Sequence, residues 1–520
     1  MKRIISGILA AVLVLLLYGC KDNTDTKKEE KNEGKQISAE MSIFSYKPDT
    51  LCPILTQNEA NIHMLGVVYE SLISLSDALC PEPCLANTWS VSEDGRVWTL
   101  NLRSDVSWHS GETFGARDVV FTVEKIKENE NSVYYYNVSN IKNIRATGES
   151  VLEIEVEKPW ANFINLLYFP IIKYGEGEIN SQSFVPVGTG PYKFEDRNEG
   201  NMYYLVRNDS WWGEAPDTER ITVKLLPDNG TALYTFSSGG IDITPADDMN
   251  WGRFADPVST SFVSIPTPIF HFVGINHEND VLRFKEIREA ISGAIDREKI
   301  IEETMTGYAT ASAMPIHPQW FVCGDKKLET KKNIDKAVKL LEKNDWKKSG
   351  NVFRKTVEEE TYIAELKILV NEENEQRVNI ASFVETDLEE LGFSVGVEKL
   401  PFEEYSEKIA EGEYDLFIGS YIVPPDLKFS FITGDGNMFR FENEDMSAAM
   451  NALGTKYSLS GVEEGYGAVI DCFDNLNPVV GLFFENEIML YSNRIKGDVT
   501  PSYFELYRGI ESLRKETAEK

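Results

Sequence analysis

Histidine is scarce in this sequence: there are five in 520 residues, at positions 63, 109, 271, 277 and 317. None is paired with another four residues away on a helical pattern, so the two-imidazole zinc helix is excluded, and isolated histidines are usually structural or exposed. Also missing are a GxSxG nucleophile elbow, an HExxH segment and a GxxxxGK[ST] phosphate loop. Gly188-Thr189-Gly190 is the nearest approach to a dinucleotide fingerprint. Pro191 follows at once and has no N–H to offer a pyrophosphate, so the segment reads as a turn into a strand at 192–195. Basic residues are in deficit, 52 against 84 acidic, for a net charge of −32, which disfavours nucleic acid as a partner. No metal or cofactor is called for, and no catalytic acid or base can be picked from so many carboxylates.

Long apolar runs are equally rare. The only one spans residues 4–18, short of the ~20 residues that cross a bilayer as a helix. It follows Lys2 and Arg3 and leads into Leu17-Tyr18-Gly19-Cys20, the order of a lipoprotein signal: basic start, short apolar core, small residue, lipidated cysteine. Tyr18 is bulkier than is usual there, and an ordinary secretory signal or a single anchor helix are the alternatives. The expectation is a signal peptide at 1–19, a lipid on Cys20 and a polar tether through residue 37, holding a protein on the extracytoplasmic side of the membrane. Five further cysteines remain, at 52, 80, 84, 323 and 472. Cys80 and Cys84, with three residues between them, form a weak zinc signal; a local disulfide or free thiols both remain open.

What is present is ample core material, with 42% hydrophobic and 11% aromatic residues. About 500 residues after the signal imply two or three domains. Between 85 and 122, alternation at Val97, Thr99, Leu100 and Leu102 predicts strands joined by a turn at Glu93-Asp94-Gly95. A helix over 116–127 follows, with Val119, Val120, Val123 and Ile126 at helical spacing. Residues 270–276 read as a short buried strand before helices faced by Ile287, Ile291 and Ala294, then by Ile300, Ile301 and Met305. Asp296 can cap the second helix and Gly307 end it. The clearest alternation is strand 362–370, helix 374–391 closed by Gly392, strand 393–400, helix 402–410 and strand 414–420. Such βαβ units make a parallel sheet, and ligands gather beyond the carboxyl ends of its strands, where residues 421–426 lie.

At these segments the chain resembles the large peptide- and nickel-binding solute-binding proteins of ABC importers, extracellular family 5. The resemblance is carried by VYESLI at 68–73, LANTWSVSEDGRVWTLNLRSDVSWHSGE from 85, VGTGPYKF at 187–194, RNDSWWG at 207–213, the GIN and REAISGAIDREKII segments, and NRIKG at 493–497. It implies an α/β, two-lobed periplasmic-binding-protein-like fold (type II, large peptide-binding class) with an additional inserted α+β domain. Lobe I would take 38–56, 181–269 and 480–520, the inserted domain II 57–180, and lobe III 270–479. It also implies a monomeric binding protein, not an enzyme, that captures oligopeptides by hinge closure and passes them to a permease and its ATPase. Nickel chelates or oligosaccharides are the alternatives on the same fold; a peptide-sensing receptor or an exported hydrolase are those of another kind.

Relatives commonly hold the peptide ammonium with a carboxylate after the strand that ends here near Ser420. In this chain Tyr421 is followed by Ile422, Val423, two prolines and only then Asp426. Asp426 is therefore the candidate ammonium partner, or else it merely shapes a Pro-Asp turn. Tyr421 is the candidate aromatic wall, or ordinary core. Thr56, Asn58, Phe270 and Glu485 align with other ligand-facing segments. Glu485 stands where relatives often have an aromatic residue, and an extra acid there would favour basic ligands.

Overall fold

The computed structural model describes residues 37–176, 184–195, 200–246, 250–434 and 436–517. The expected signal peptide, Cys20, the tether up to residue 36 and the expected join at 180/181 lie outside the described residues. No helix among the described residues is long and apolar enough to cross a membrane.

Strand β1 (Glu40–Ser45) leads to helix α1 (Glu59–Leu65), whose N-terminus is closed by the Asn58 side chain accepting from the Asn61 N–H at 3.2 Å. The next unit holds β2 (Ala86–Val91), β3 (Val97–Leu102), α2 (Ala116–Lys127), β4 (Ile141–Ala146) and β5 (Val151–Val156). Its four strands form an antiparallel sheet in the order β2-β3-β5-β4. Gly95 makes the β2–β3 turn at φ 69°, a left-handed conformation that glycine adopts without strain. On α2, Val119, Val123 and Ile126 are fully buried, while Val120 lies partly exposed at the edge of the face.

The chain then forms β6 (Tyr192–Glu195), β7 (Met202–Arg207) and β8 (Arg220–Leu225), which with β1 make a sheet in the order β1-β8-β7-β6. The turn before β6 is pressed against the segment following α1. Gly190 N–H donates to Val68 O at 2.9 Å, and a Cβ on Gly188 would stand 1.8 Å from that same oxygen.

The largest sheet is built from β9 (Ile243–Pro245), β10 (Thr260–Ile275), β11 (Ala309–Ala311), β12 (Glu365–Asn371), β13 (Ser394–Leu400), β14 (Leu416–Ile422) and β15 (Val480–Ser492). Its order is β9-β15-β10-β14-β12-β13, with β11 added on β15. Helices α3 (Lys285–Ala294) and α4 (Arg297–Met305) follow β10; α5 (Glu375–Leu391) and α6 (Phe402–Glu411) connect β12, β13 and β14, whose mutual pairings are parallel. Helix α5 ends at Gly392 with φ 109°, and Asp296 caps α4 by accepting from the Lys299 N–H at 3.1 Å. The left-handed residue that ends α4 is Thr306, with Gly307 following at φ 84°.

Two sequence expectations are corrected. The strand expected at 362–370 is two strands in two sheets: Glu360–Ile363 pairs with Val352–Val357, and only β12 joins the parallel sheet. No glycine or proline marks the break at Ala364. Conversely, β10 is far longer than the expected 270–276, because Pro266 and Pro268 sit in an irregularity of its pairing with β15 instead of ending it.

Strand β15 begins in one apolar core and ends in another. Val480, Leu482 and Phe483 pack with Ile291, Ile368 and Val384, whereas Ile488 and Leu490 pack with Leu233, Phe236 and Phe254. With β10 beside it, β15 forms a continuous two-strand link between two bodies. All five described cysteines are free thiols.

Candidate functional site

The carboxyl ends of β12 and β14 and the middle of the β10–β15 link open on a cavity of about 830 Å³. Its walls come from both bodies: Tyr46 after β1, Glu59 and His63 of α1, Trp251, Thr267 of β10, Glu485 to Ile488 of β15, Glu303 to Thr306 at the end of α4, Asn374 to Gln376 at the start of α5, Ile422 and Tyr503. Parallel strands point their carboxyl ends the same way, and the helices that follow them begin there, which is why a ligand cleft forms at this edge.

Polar chemistry in the cavity is dominated by carboxylates. Five glutamates line it, at 59, 303, 375, 485 and 487, with no lysine or arginine among the described lining residues. His63 Nε2 lies 3.8 Å from Glu59 Oε1, and this contact holds the Glu59 carboxyl below its ordinary range. His271, buried behind the cavity, places Nε2 2.5 Å from Glu485 Oε1 and stacks on Phe483 at 4.6 Å between ring centroids. Its Nδ1 is buried with no hydrogen-bond partner among the described residues. Burial above all, then Glu59, Tyr168, Glu487 and Glu485, push the Tyr503 phenol up, and Tyr503 lines the cavity with those three acids.

Of the six ligand contacts expected from sequence, Glu485 alone lines this cavity. Thr56 is buried and donates to Asp49 Oδ1 at 2.6 Å, and Asn58 is the cap of α1. Phe270 is fully buried, packed on Phe272 and Phe484 at 5.7 and 5.1 Å. Tyr421 is half-buried and stacked on Phe431 with centroids 4.0 Å apart. Asp426 is fully buried beside the antiparallel unit, its carboxylate accepting from the Tyr136 hydroxyl at 3.0 and 3.2 Å with Lys428 Nζ 3.6 Å away. Burial pushes the Asp426 carboxyl up while Lys428 opposes the shift. Sequence reasoning missed Tyr46, His63, Trp251, Glu303, Tyr308, Glu487 and Tyr503. Glu487 left a signal, since it stands two residues from Glu485 on a strand and so shares its face.

A smaller cavity of about 300 Å³ shares His63 with the first and is lined by Glu70, Trp211, Trp212 and Glu505. Both indoles donate to Glu70, Trp212 Nε1 at 2.9 Å and Trp211 Nε1 at 3.2 Å. Burial nevertheless pushes Glu70 up to about 7, and Glu505 likewise up to about 7.

Two α/β bodies joined by a pair of through-running strands, with a roomy cavity at the junction, define a two-lobed solute receptor. The chain belongs to the bacterial extracellular solute-binding proteins, family 5, whose middle-region model matches residues 81–436. It is 23% identical over 436 residues to the oligopeptide-binding protein AppA of Bacillus subtilis, covering 78% of this chain and 77% of that one. It is 22% identical over 531 aligned positions to the dipeptide-binding protein DppE of the same organism, covering 94% and 95%. Among solved structures, the nickel ABC transporter protein of Bacillus halodurans superposes with a TM-score of 0.78 at 22% identity, over 91% of this chain and 99% of that chain.

Proposed function

We propose that this protein is the substrate-binding component of an ABC importer, held outside the cytoplasm by a lipid on Cys20, which captures oligopeptides and hands them to a permease and its ATPase. The observation that carries this is the 830 Å³ cavity walled by both bodies at the β10–β15 link. A flexible peptide shares only its backbone with other peptides, so a roomy cleft of mixed polar and apolar lining suits a receptor that grips main chain and accommodates side chains through water. Closure would bend the link near Pro266 and Pro268, where strand pairing is already irregular. The lobe boundaries expected from sequence fit such a hinge and are proposed with it.

The relatives' own ligands, oligopeptide for AppA and dipeptide for DppE, support peptide, while the nickel protein of Bacillus halodurans supports the alternative on the same fold; against direct nickel ligation, the cleft presents a single histidine, His63, among its described lining residues. Glu485 would contact the ligand from the wall of the cleft. Asp426 would meet a peptide ammonium only in a state in which its contacts with Tyr136 and Lys428 open. Binding without turnover by a monomer is the expected behaviour. Calorimetry of the mature protein with peptide pools, followed by mass spectrometry of the recovered peptide, tests this. Saturable binding of intact peptide is expected; binding only to a nickel chelate or a sugar, or recovery of cleaved peptide, would overturn it. A Cys20→Ser variant should be released from membranes and still bind.

A further inference from the structure

We infer that the cleft selects cationic ligands, so that the peptides captured are those bearing lysine or arginine side chains; this rests on the peptide function proposed above and adds a charge preference to it. The chain as a whole carries 84 acidic and 52 basic residues, so five charged lining residues drawn in that proportion would include about two bases. The described lining has five glutamates and neither lysine nor arginine.

Their placement sharpens the bias. Glu59 and Glu375 each occupy the first turn of a helix, α1 and α5, where the positive end of the helix dipole offsets part of their charge. Glu303 is placed the opposite way. It lies in the last turn of α4, and Thr304, Met305 and Thr306 bring the carbonyl end of that helix to the cavity wall. An acid beside the negative end of a helix is locally unfavourable, and a bound cation relieves that repulsion. Neither Glu303 nor Glu485 has a lysine or arginine partner among the described residues; Glu485 Oε1 is held at 2.5 Å by His271 Nε2, which fixes where its carboxylate stands in the wall.

The lining is also aromatic. Trp251 and Tyr308, with ring centroids 5.2 Å apart, line the same cavity as Glu303, so the cleft offers a guanidinium or ammonium aromatic surface as well as carboxylates.

The test is calorimetry of the mature protein with tetrapeptides of one length carrying two lysines, two norleucines or two glutamates, and with spermidine, at low and high sodium chloride. The lysine peptide is expected to bind at least about tenfold more tightly than the norleucine peptide at low salt, with the margin shrinking as salt rises. The double variant Glu303→Gln, Glu485→Gln should bring the ratio of lysine-peptide to norleucine-peptide affinity close to one, whatever it does to the affinity of either peptide alone; an unchanged ratio would overturn the charge preference. Equal affinity for lysine and norleucine peptides would overturn the charge preference and leave the peptide function standing. Failure of every peptide, with spermidine bound, would overturn the peptide function and keep the preference for cations; failure of all four ligands would overturn both.

Discussion

His271 and Glu485 face each other across β10 and β15, Nε2 to Oε1 at 2.5 Å, at the point where the two strands pass from one body to the other. This side-chain contact sits on the link itself, so it bears on both the rigidity of the hinge and the wall of the cleft. Replacing His271 with alanine removes the donor and the stacking on Phe483 and should cost about 1–3 kcal/mol. Urea unfolding of the two proteins measures the difference, and an unchanged midpoint would show that the contact carries no stability.

Trp251 is a wall residue of the cavity and packs on Phe262 and Tyr308 at 4.8 and 5.2 Å. Trp251 is largely buried with one edge on the cavity, so a ligand in the cleft changes the surroundings of that indole and peptide binding should change the intrinsic fluorescence. The change should be largely lost in Trp251→Phe while calorimetric affinity falls by less than about tenfold. A full-sized signal in the variant would place the reporter at another tryptophan.

The Glu70 carboxyl has a folded-state value of about 7, raised from 4.5 chiefly by burial. A carboxyl whose value is higher folded than unfolded binds protons more tightly in the folded state. Its stabilising contribution is therefore complete below about pH 4.5 and is lost as pH rises through 7. Unfolding free energy of the native protein should fall over that window, and Glu70→Gln, which keeps one acceptor for the two indoles, should flatten part of the fall. Equal slopes in denaturant titrations at several pH values would contradict this. Glu505 has the same sign and would supply the residual slope.

Gly188 is required by proximity, since a methyl group there would stand 1.8 Å from Val68 O, on backbone that has nowhere to go. Gly188→Ala should destabilise by about 3 kcal/mol or more, seen as low soluble yield and a depressed thermal midpoint. Gly111 is the contrasting position: a Cβ there would meet no atom within 4 Å, although its φ of 95° adds a backbone strain of its own. The loss at Gly188 should be the larger.

Native-state alkylation should spare Cys52 and Cys323, both buried, with burial pushing their thiols up to about 12 and about 11. Cys80 and Cys472, partly exposed, should react first. Intact mass after timed iodoacetamide treatment gives the order, and early loss of the Cys52 thiol would contradict its burial.

Much of the fold was legible because its signals are local. Helix α5, its cap at Asn374 and its stop at Gly392 can be read from a few neighbouring residues, as can the β2–β3 hairpin around Gly95. The break at Ala364 was not legible, because the residues on either side have equal strand propensity and only their partners differ, Val352–Val357 for one half and β13 for the other. The extra length of β10 was hidden for the reverse reason: its prolines look like terminators, and only the neighbouring β15 shows that pairing resumes beyond them.

The sequence by itself determined most of the elements, the acidic excess and the family, through short segments whose residues contact their own neighbours. Tertiary structure alone decided the cleft. Tyr46, Glu59, Trp251, Glu303, Glu375, Glu485 and Tyr503 are spread over more than four hundred residues and meet because two long strands carry the chain between two cores. It also decided which expected contacts face the cavity: Glu485 does, while Asp426, close by in sequence to the strand end at Ile422, turns to Tyr136 and Lys428. A side chain's environment is set by what the remote chain places around it, and a carboxylate buried with a hydroxyl and an ammonium group is held there by partners that no local pattern encodes.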